Sequence, residues 1–288
     1  MIVWKFHPAL VFVVWLPFVT LDALYLTSAL TKVPSGAWFT LLLAVILASF
    51  FTLWRYGKEK QWACEAQGRQ QLSRVIAKGV SDSGQLMLAD QYGGGEITAT
   101  DGMGIFFDKS GELTPMVYEQ WLRKFRAQMD VVVLMHMRAL SRPHVSEEDR
   151  FAVARTSVPN VYRVMIRHGY NDHVITPNLA HTVYEEVRKA IIRSAVRISP
   201  SSSTSTPREA ENEGSAIATE LRLLDEAFAA QSLYLVGKEQ MRISGQYNVV
   251  KRMILGVFLW VRDNCRSRIA KLNVPVEKLV EVGFVGEI

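Results

Sequence analysis

The stretch ALVFVVWLPFVTLDALYLTSAL, residues 9–30, is followed after a short turn by AWFTLLLAVILASFFTLW, residues 37–54. These two runs decide the class of the protein. A bilayer core is about 30 Å thick, and a helix needs about 20 apolar residues to cross it. Both runs have that length, so residues 1–56 read as a membrane helical hairpin ahead of a water-soluble domain. Leu10, Val11, Phe12, Leu16, Leu21 and Leu24 are among the apolar side chains that each favour insertion by about 0.3–0.6 kcal/mol. Asp22 opposes them with a cost of about 2.5–3.5 kcal/mol, and the apolar sum wins. The second run carries no charge, and Pro17 is of a kind that membrane helices tolerate.

A secretory leader is the competing reading. Lys5 and His7 make only a thin basic region, no small-residue cleavage site follows, and the run exceeds the usual leader core. Lys5 precedes the first run and Arg55, Lys58 and Lys60 follow the second, while the turn Thr31–Gly36 holds only Lys32. The positive-inside tendency therefore places both ends, and all that follows, in the cytosol. Trp4, Trp15, Trp38 and Trp54 lie at or near the run ends, where an aromatic belt belongs.

The net charge of +5 suits a domain beside an anionic leaflet better than a nucleic-acid binder. Cys64 and Cys265 stand alone, too few for a disulfide framework or a cysteine zinc site. No Asn-x-Ser/Thr acceptor occurs, so nothing points to an extracellular domain.

Residues 57–101 read as a connector: a charged helical segment over Glu59–Lys78, broken by Ser81–Gly84 and Gly93–Gly95. No Lys-Ser/Thr pair accompanies those glycines, so a flexible loop is expected rather than a phosphate cradle. From 102 onward an α/β domain is expected. Ile105–Phe107 reads as a strand, and Thr114-Pro115 as the cap and first turn of a helix with Val117, Trp121 and Phe125 on one face. Val131–Met137 has the look of a strand buried on both faces. Arg150–Thr156 and Val161–Arg167 flank a turn, and Thr176-Pro177 opens a helix with the stripe Leu179, Val183, Val187, Ile191 and Ala195. Ser199–Ser215 is the low-complexity segment, expected as a disordered excursion and a conceivable phosphorylation site. Helix 216–229, strand 232–238, an amphipathic helix carrying Val249, Met253, Val257 and Val261, and a last strand 279–285 complete the pattern.

Several segments, in this order, resemble the KUP/HAK/KT family of potassium transporters. In the membrane part they are Asp22–Tyr25, Lys32–Phe39 and Trp54–Gly57. In the soluble part they are Gly102–Phe107, Pro143–Phe151, Tyr162-Arg163, Arg167–Tyr170, Tyr234–Gly237, Asn264–Arg266, Asn273–Pro275 and Glu281–Gly283. The resemblance implies the last two spans and cytosolic tail of a plasma-membrane carrier of about a dozen spans. It implies potassium uptake by the intact protein, and an ion pathway lying in spans that this sequence does not include. A regulatory or dimerising role, or an incomplete gene, follows for the chain itself. The implied soluble fold is universal-stress-protein-like, with nucleotide sensing in some members.

Asp22, Tyr25, Lys32, Gly36 and Trp38 are the family-like positions of the spans. Asp22 is a weak ion-binding candidate, more at home holding helix to helix or to the Lys32 turn. The loop Thr100–Gly104 is the candidate nucleotide segment, with Gly102 and Gly104 giving backbone access. His136, His144, His168, His173 and His181 sit on separate elements with no metal-ligand spacing. Glu147–Asp149 lacks a nucleophile, so no catalytic set, metal or cofactor is expected. Expected partners are membrane lipid, potassium for the intact transporter, a second copy through hairpin and soluble domain, and a nucleotide; nucleic acid is not one. The alternative to transport is a membrane-anchored nucleotide-sensing domain.

Overall fold

A computed structural model describes residues 8–67, 69–80, 86–108, 111, 113–172, 178–198, 207–265 and 274–288. The chain divides into two compact units, residues 1–59 and 60–288.

The first unit holds helix α1, Pro8–Thr31, a tight turn over Val33–Ala37, and most of helix α2, Trp38–Gln67. At 1.5 Å per residue α1 is about 36 Å long, enough to cross a bilayer core. Gly36 makes the turn at φ 127°, a conformation that disfavours any side chain. Hydroxyls inside the helices donate to the preceding turn, Thr20 to Leu16 O at 3.0 Å and Ser49 to Val45 O at 2.8 Å, so few polar groups are left for lipid. The large apolar side chains face outward, Leu24 at 68% and Val45 at 63% exposure. Such a surface needs lipid or further helices around it.

The second unit is built on a six-stranded sheet in the order β5-β6-β4-β3-β7-β8. The strands are β3 Thr98–Asp108, β4 Ala127–Ala139, β5 Phe151–Arg155, β6 Val161–His168, β7 Ser232–Arg242 and β8 Leu279–Glu287. All neighbours run parallel except the β5–β6 edge pair. Counted in chain order, the five parallel strands lie 3-2-1-4-5, so the winding reverses between β3 and β7. The expected α/β domain is present.

Strand β4 justifies its unbroken apolar run. Val131, Val133 and Met135 bury against α6 (Leu179–Ile198) and α7 (Pro207–Ala230), while Val132 and Leu134 bury on the other face. The stripe Leu179, Val183, Val187 and Ile191 is fully buried, as its spacing predicts. The opposite layer contains α4, Met116–Phe125, whose Tyr118 ring meets Phe106 at 4.9 Å.

Several expectations change. Residues 57–101 are not a free connector: α3 (Leu72–Val75), β1 (Ile76–Val80) and β2 (Leu86–Leu88) place Leu72, Val75, Ile76, Leu88 and Ile97 in the second core. The compact unit that carries the sheet takes in the residues from Lys60 onward. The helix read over 59–78 ends at Gln67 and gives way to strand by Ile76. Thr100–Gly104 is no loop; it lies within β3, where the register shifts between Thr100 and Met103. The excursion expected over 199–215 is helical from Pro207, a residue preorganised for a first turn and followed by good helix formers. Pro115, not Thr114, holds the cap position of α4, and Phe125 turns out to solvent while Tyr118 and Leu122 take the buried face. In α8, Val249–Asn264, the periodic Val249, Met253 and Val257 point outward, and Leu255 and Phe258 are the buried pair. The expectations for Lys5, His7, Trp4, Ser81–Gly84, His173, Thr176-Pro177, Ser199–Thr206, Arg266 and Asn273 lie outside the described residues, as does the side chain of Ala195.

Candidate functional site at the carboxyl edge of the sheet

In a sheet wound this way, ligands bind outside the carboxyl ends of the strands where the winding reverses. Here that place is where β3 ends at Asp108 and β7 continues through Gly237 and Glu239. It holds a cavity of about 40 Å³, lined by Glu65, Arg69, Asp108, Met116, Gly237, Glu239 and Phe284. Such a volume admits a few waters and falls far below the several hundred Å³ of a small-molecule pocket.

The space is small because the chain itself fills it. The last two turns of α2 lie on this edge, with Gln61 at 6% and Glu65 at 8% exposure. Glu65 accepts from Gln61 Nε2 at 2.8 Å, pairs with Arg69 at 3.3 Å and lines the cavity. Cys64 Sγ donates to the carbonyl of Glu287 at 3.1 Å, and a Cβ on Gly286 would stand 3.8 Å from that sulfur. Burial first, then Glu239 and Glu65, raise the Cys64 pKa, so the thiol stays protonated and unreactive. Beyond α2 the chain stays pinned: Thr114 N donates to Gln70 O at 2.9 Å, and Gln91 Nε2 to Arg74 O at 2.8 Å.

Gly102 and Gly104 serve packing. Gly102 sits at φ 116°, and a Cβ there would meet Gln231 O at 3.0 Å. Its N–H donates to Asp130 Oδ2 at 3.1 Å. A Cβ on Gly104 would fall 2.6 Å from Met129 Sδ. Neither residue lines the edge cavity. Gly93 and Gly95, both at positive φ, leave room for the Arg126 guanidinium, 3.1 Å from the position of a Gly95 Cβ.

Two of the segments on which the family resemblance rests meet in space. His144 Nδ1 lies 2.9 Å from Asp172 Oδ1, while the Val145 and Gly169 amides donate to Oδ2 at 3.0 and 2.9 Å. Those bonds, the Gly169 amide foremost and then His144, pull the Asp172 pKa down to about 2. Gly169 allows the approach, since a Cβ would stand 2.2 Å from Pro143 O. The latch joins the loops after β4 and β6, and sequence reading had treated these residues only as separate marks.

The larger groove, about 770 Å³ between β5, β6 and α6, has an apolar floor of Phe151, Val153 and Ile191. Its Arg155 is paired with Glu220 at 2.6 Å and its Glu186 with Lys189 at 2.8 Å. Tyr162 also donates to Glu220, and burial followed by that carboxylate drives the phenol pKa upward. His136 faces Asp108 O at 3.1 Å and His168 faces Gly169 O at 3.1 Å; among the described residues no cluster of ligands could hold a metal.

The span positions are not gathered into a site. Asp22 and Tyr25 are exposed on α1, the latter at 74%, Lys32 and Gly36 form the turn, and Trp38 opens α2 at 57% exposure.

Compared with known proteins, residues 101–288 match the family described as K+ potassium transporter C-terminal domain, and residues 1–59 match K+ potassium transporter integral membrane domain. Potassium transporter 1 of Arabidopsis thaliana is 25% identical over 292 residues, covering 99% of this chain and 37% of its own length. Probable potassium transporter 4 of Oryza sativa subsp. japonica is 25% identical over 291 residues, 99% of this chain and 36% of its own. The chain thus spans little more than a third of the length of these relatives. No solved structure matches it.

Proposed function

The chain belongs to the K+ potassium transporter family, and from that premise we propose that it serves potassium uptake across the plasma membrane as two spans and a cytosolic regulatory domain. The observation that carries the regulatory reading is the seat of α2. One helix, Trp38–Gln67, contributes a membrane span and then brings Glu65 to the cavity at the reversal point of the sheet, with Gln61 bonded to Glu65 and Cys64 to the end of β8. A change of state in the domain has a covalent route into the span, with no diffusing partner required.

The ion pathway itself calls for more than these spans. Asp22 is the one charged residue of α1, and α2 has none from Trp38 to Trp54. A carboxylate inside a bilayer faces protein or water rather than lipid. Asp22 therefore packs against further helices of a larger bundle, supporting those helices rather than conducting. The basic Arg55, Lys58 and Lys60 after α2 support a cytosolic domain. A nucleotide-sensing role draws no support from Gly102 and Gly104, which lie inside a packed strand.

Potassium or rubidium influx tests this reading. The chain alone, in cells lacking potassium uptake, gives no influx; fused behind the preceding spans of a relative it restores influx, and Asp22→Asn in the fusion lowers it. Influx by the chain alone would overturn the assignment of its role.

A further inference from the structure

We propose that α8 is a lipid-binding helix that lays its outer face on an anionic bilayer surface. It extends over Val249–Asn264, yet only Leu255 and Phe258 are buried, and Arg262 Nη2 ties it to β7 by donating to Glu239 O at 2.8 Å. On the other side Val249, Val250, Met253, Ile254, Val257 and Trp260 are exposed, Val249 at 82%, Met253 at 68% and Trp260 at 69%. At 100° per residue these six cover an arc of about 140°. A helix with two apolar residues buried on one side and a wider apolar stripe facing out lies between its own domain and a second apolar phase.

Charge and length select the phase. Lys251 and Arg252 are exposed, each about 60° beyond an edge of the outer stripe, and the one acidic residue of α8 is Asp263 in its last turn. Basic side chains flanking a stripe that carries Trp and Met match an interface of anionic headgroups over acyl chains. A second copy fits less well: the stripe is only about two heptads long, short of the three or four of a stable coiled coil. The bilayer is also always at hand, because α2 of the same chain enters it. Tethering turns a weak one-face affinity into steady occupancy.

The test uses the full chain in vesicles. In a Cys64→Ser, Cys265→Ser background, Val257→Cys carries an environment-sensitive fluorophore, and Glu148→Cys, on an exposed turn, is the control. Nitroxide lipid is expected to quench the label at 257 at least about twofold more than at 148, and iodide to quench it less. The difference grows with the share of anionic lipid and shrinks when Lys251 and Arg252 are both changed to Gln. Equal iodide access at both positions overturns the proposal. Shielding of position 257 from both quenchers also overturns it; energy transfer between differently labelled chains would then assign the stripe to a second copy, and its absence to a cover within the chain. Thermal unfolding of each variant separates misfolding from loss of lipid contact.

Discussion

Cys64 Sγ stands 3.1 Å from the carbonyl oxygen of Glu287, so the final turns of the second apolar helix are fastened to the last strand of the sheet. The two residues are 223 apart in the chain. Around that contact Gln61, Glu65 and Arg69 fill the place where such a sheet would otherwise take a ligand.

Replacing Glu65 by Leu removes the partner of Arg69, whose side chain is only 18% exposed. A charge left without its carboxylate in such a place costs about 2 kcal/mol, less than a fully buried pair because some water reaches it. Thermal unfolding of the soluble unit should fall by several degrees, and the double change Glu65→Leu with Arg69→Met should recover much of the loss.

Glycine substitutions should separate by what a Cβ would strike. Gly169→Ala drives a Cβ to 2.2 Å from Pro143 O and should cost about 3 kcal/mol or more. Gly283→Ala meets nothing within 4 Å and should stay within about 0.5 kcal/mol of the parent. Gly214→Ala, in an exposed turn of α7, should stabilise by about 0.5–1 kcal/mol through helix propensity. Unfolding midpoints measured in parallel decide all three.

Asp172 has its pKa held down at about 2 by the Gly169 amide first and His144 next. The native state therefore binds fewer protons than the unfolded chain, whose carboxylate titrates near 4. Its contribution is complete above that range and is lost as the pH falls toward 2. Asp172→Asn should lower stability at neutral pH and flatten the acid limb between about pH 4 and pH 2. A limb as steep as the parent's would contradict the latch.

The two thiols should report orientation. Cys265 is exposed, whereas Cys64 is half-buried with its pKa raised by burial, Glu239 and Glu65. A membrane-impermeant maleimide should label Cys265 rapidly in inside-out vesicles and leave it untouched in sealed right-side-out ones. Cys64 should react slowly in both.

The span pair, the doubly buried run Val131–Met137 and the stripe on α6 were legible because each is a local pattern with a fixed period. The connector was misread for the opposite reason. Leu72, Val75, Ile76, Leu88 and Ile97 are scattered over a short helix, two short strands and the loop before β3, too brief for a period to emerge. Gly102 and Gly104 suggested a loop because glycine signals conformational freedom, but here a strand needs the missing side chains to pass Gln231 and Met129. The edge seat left no local mark, since it is made by residues as far apart in the chain as Cys64 and Glu287. The outward stripe of α8 has the same spacing as a buried one, and spacing alone does not say which side meets the sheet.

Hydrogen exchange of the full chain in lipid nanodiscs tests the seat most directly. Amides of residues 61–66 should be protected to the level of β8, and Cys64→Trp, which cannot fit against Glu287 and Gly286, should release both segments together. Exchange of 61–66 at the rate of a frayed helix end, with β8 still protected, would contradict the account.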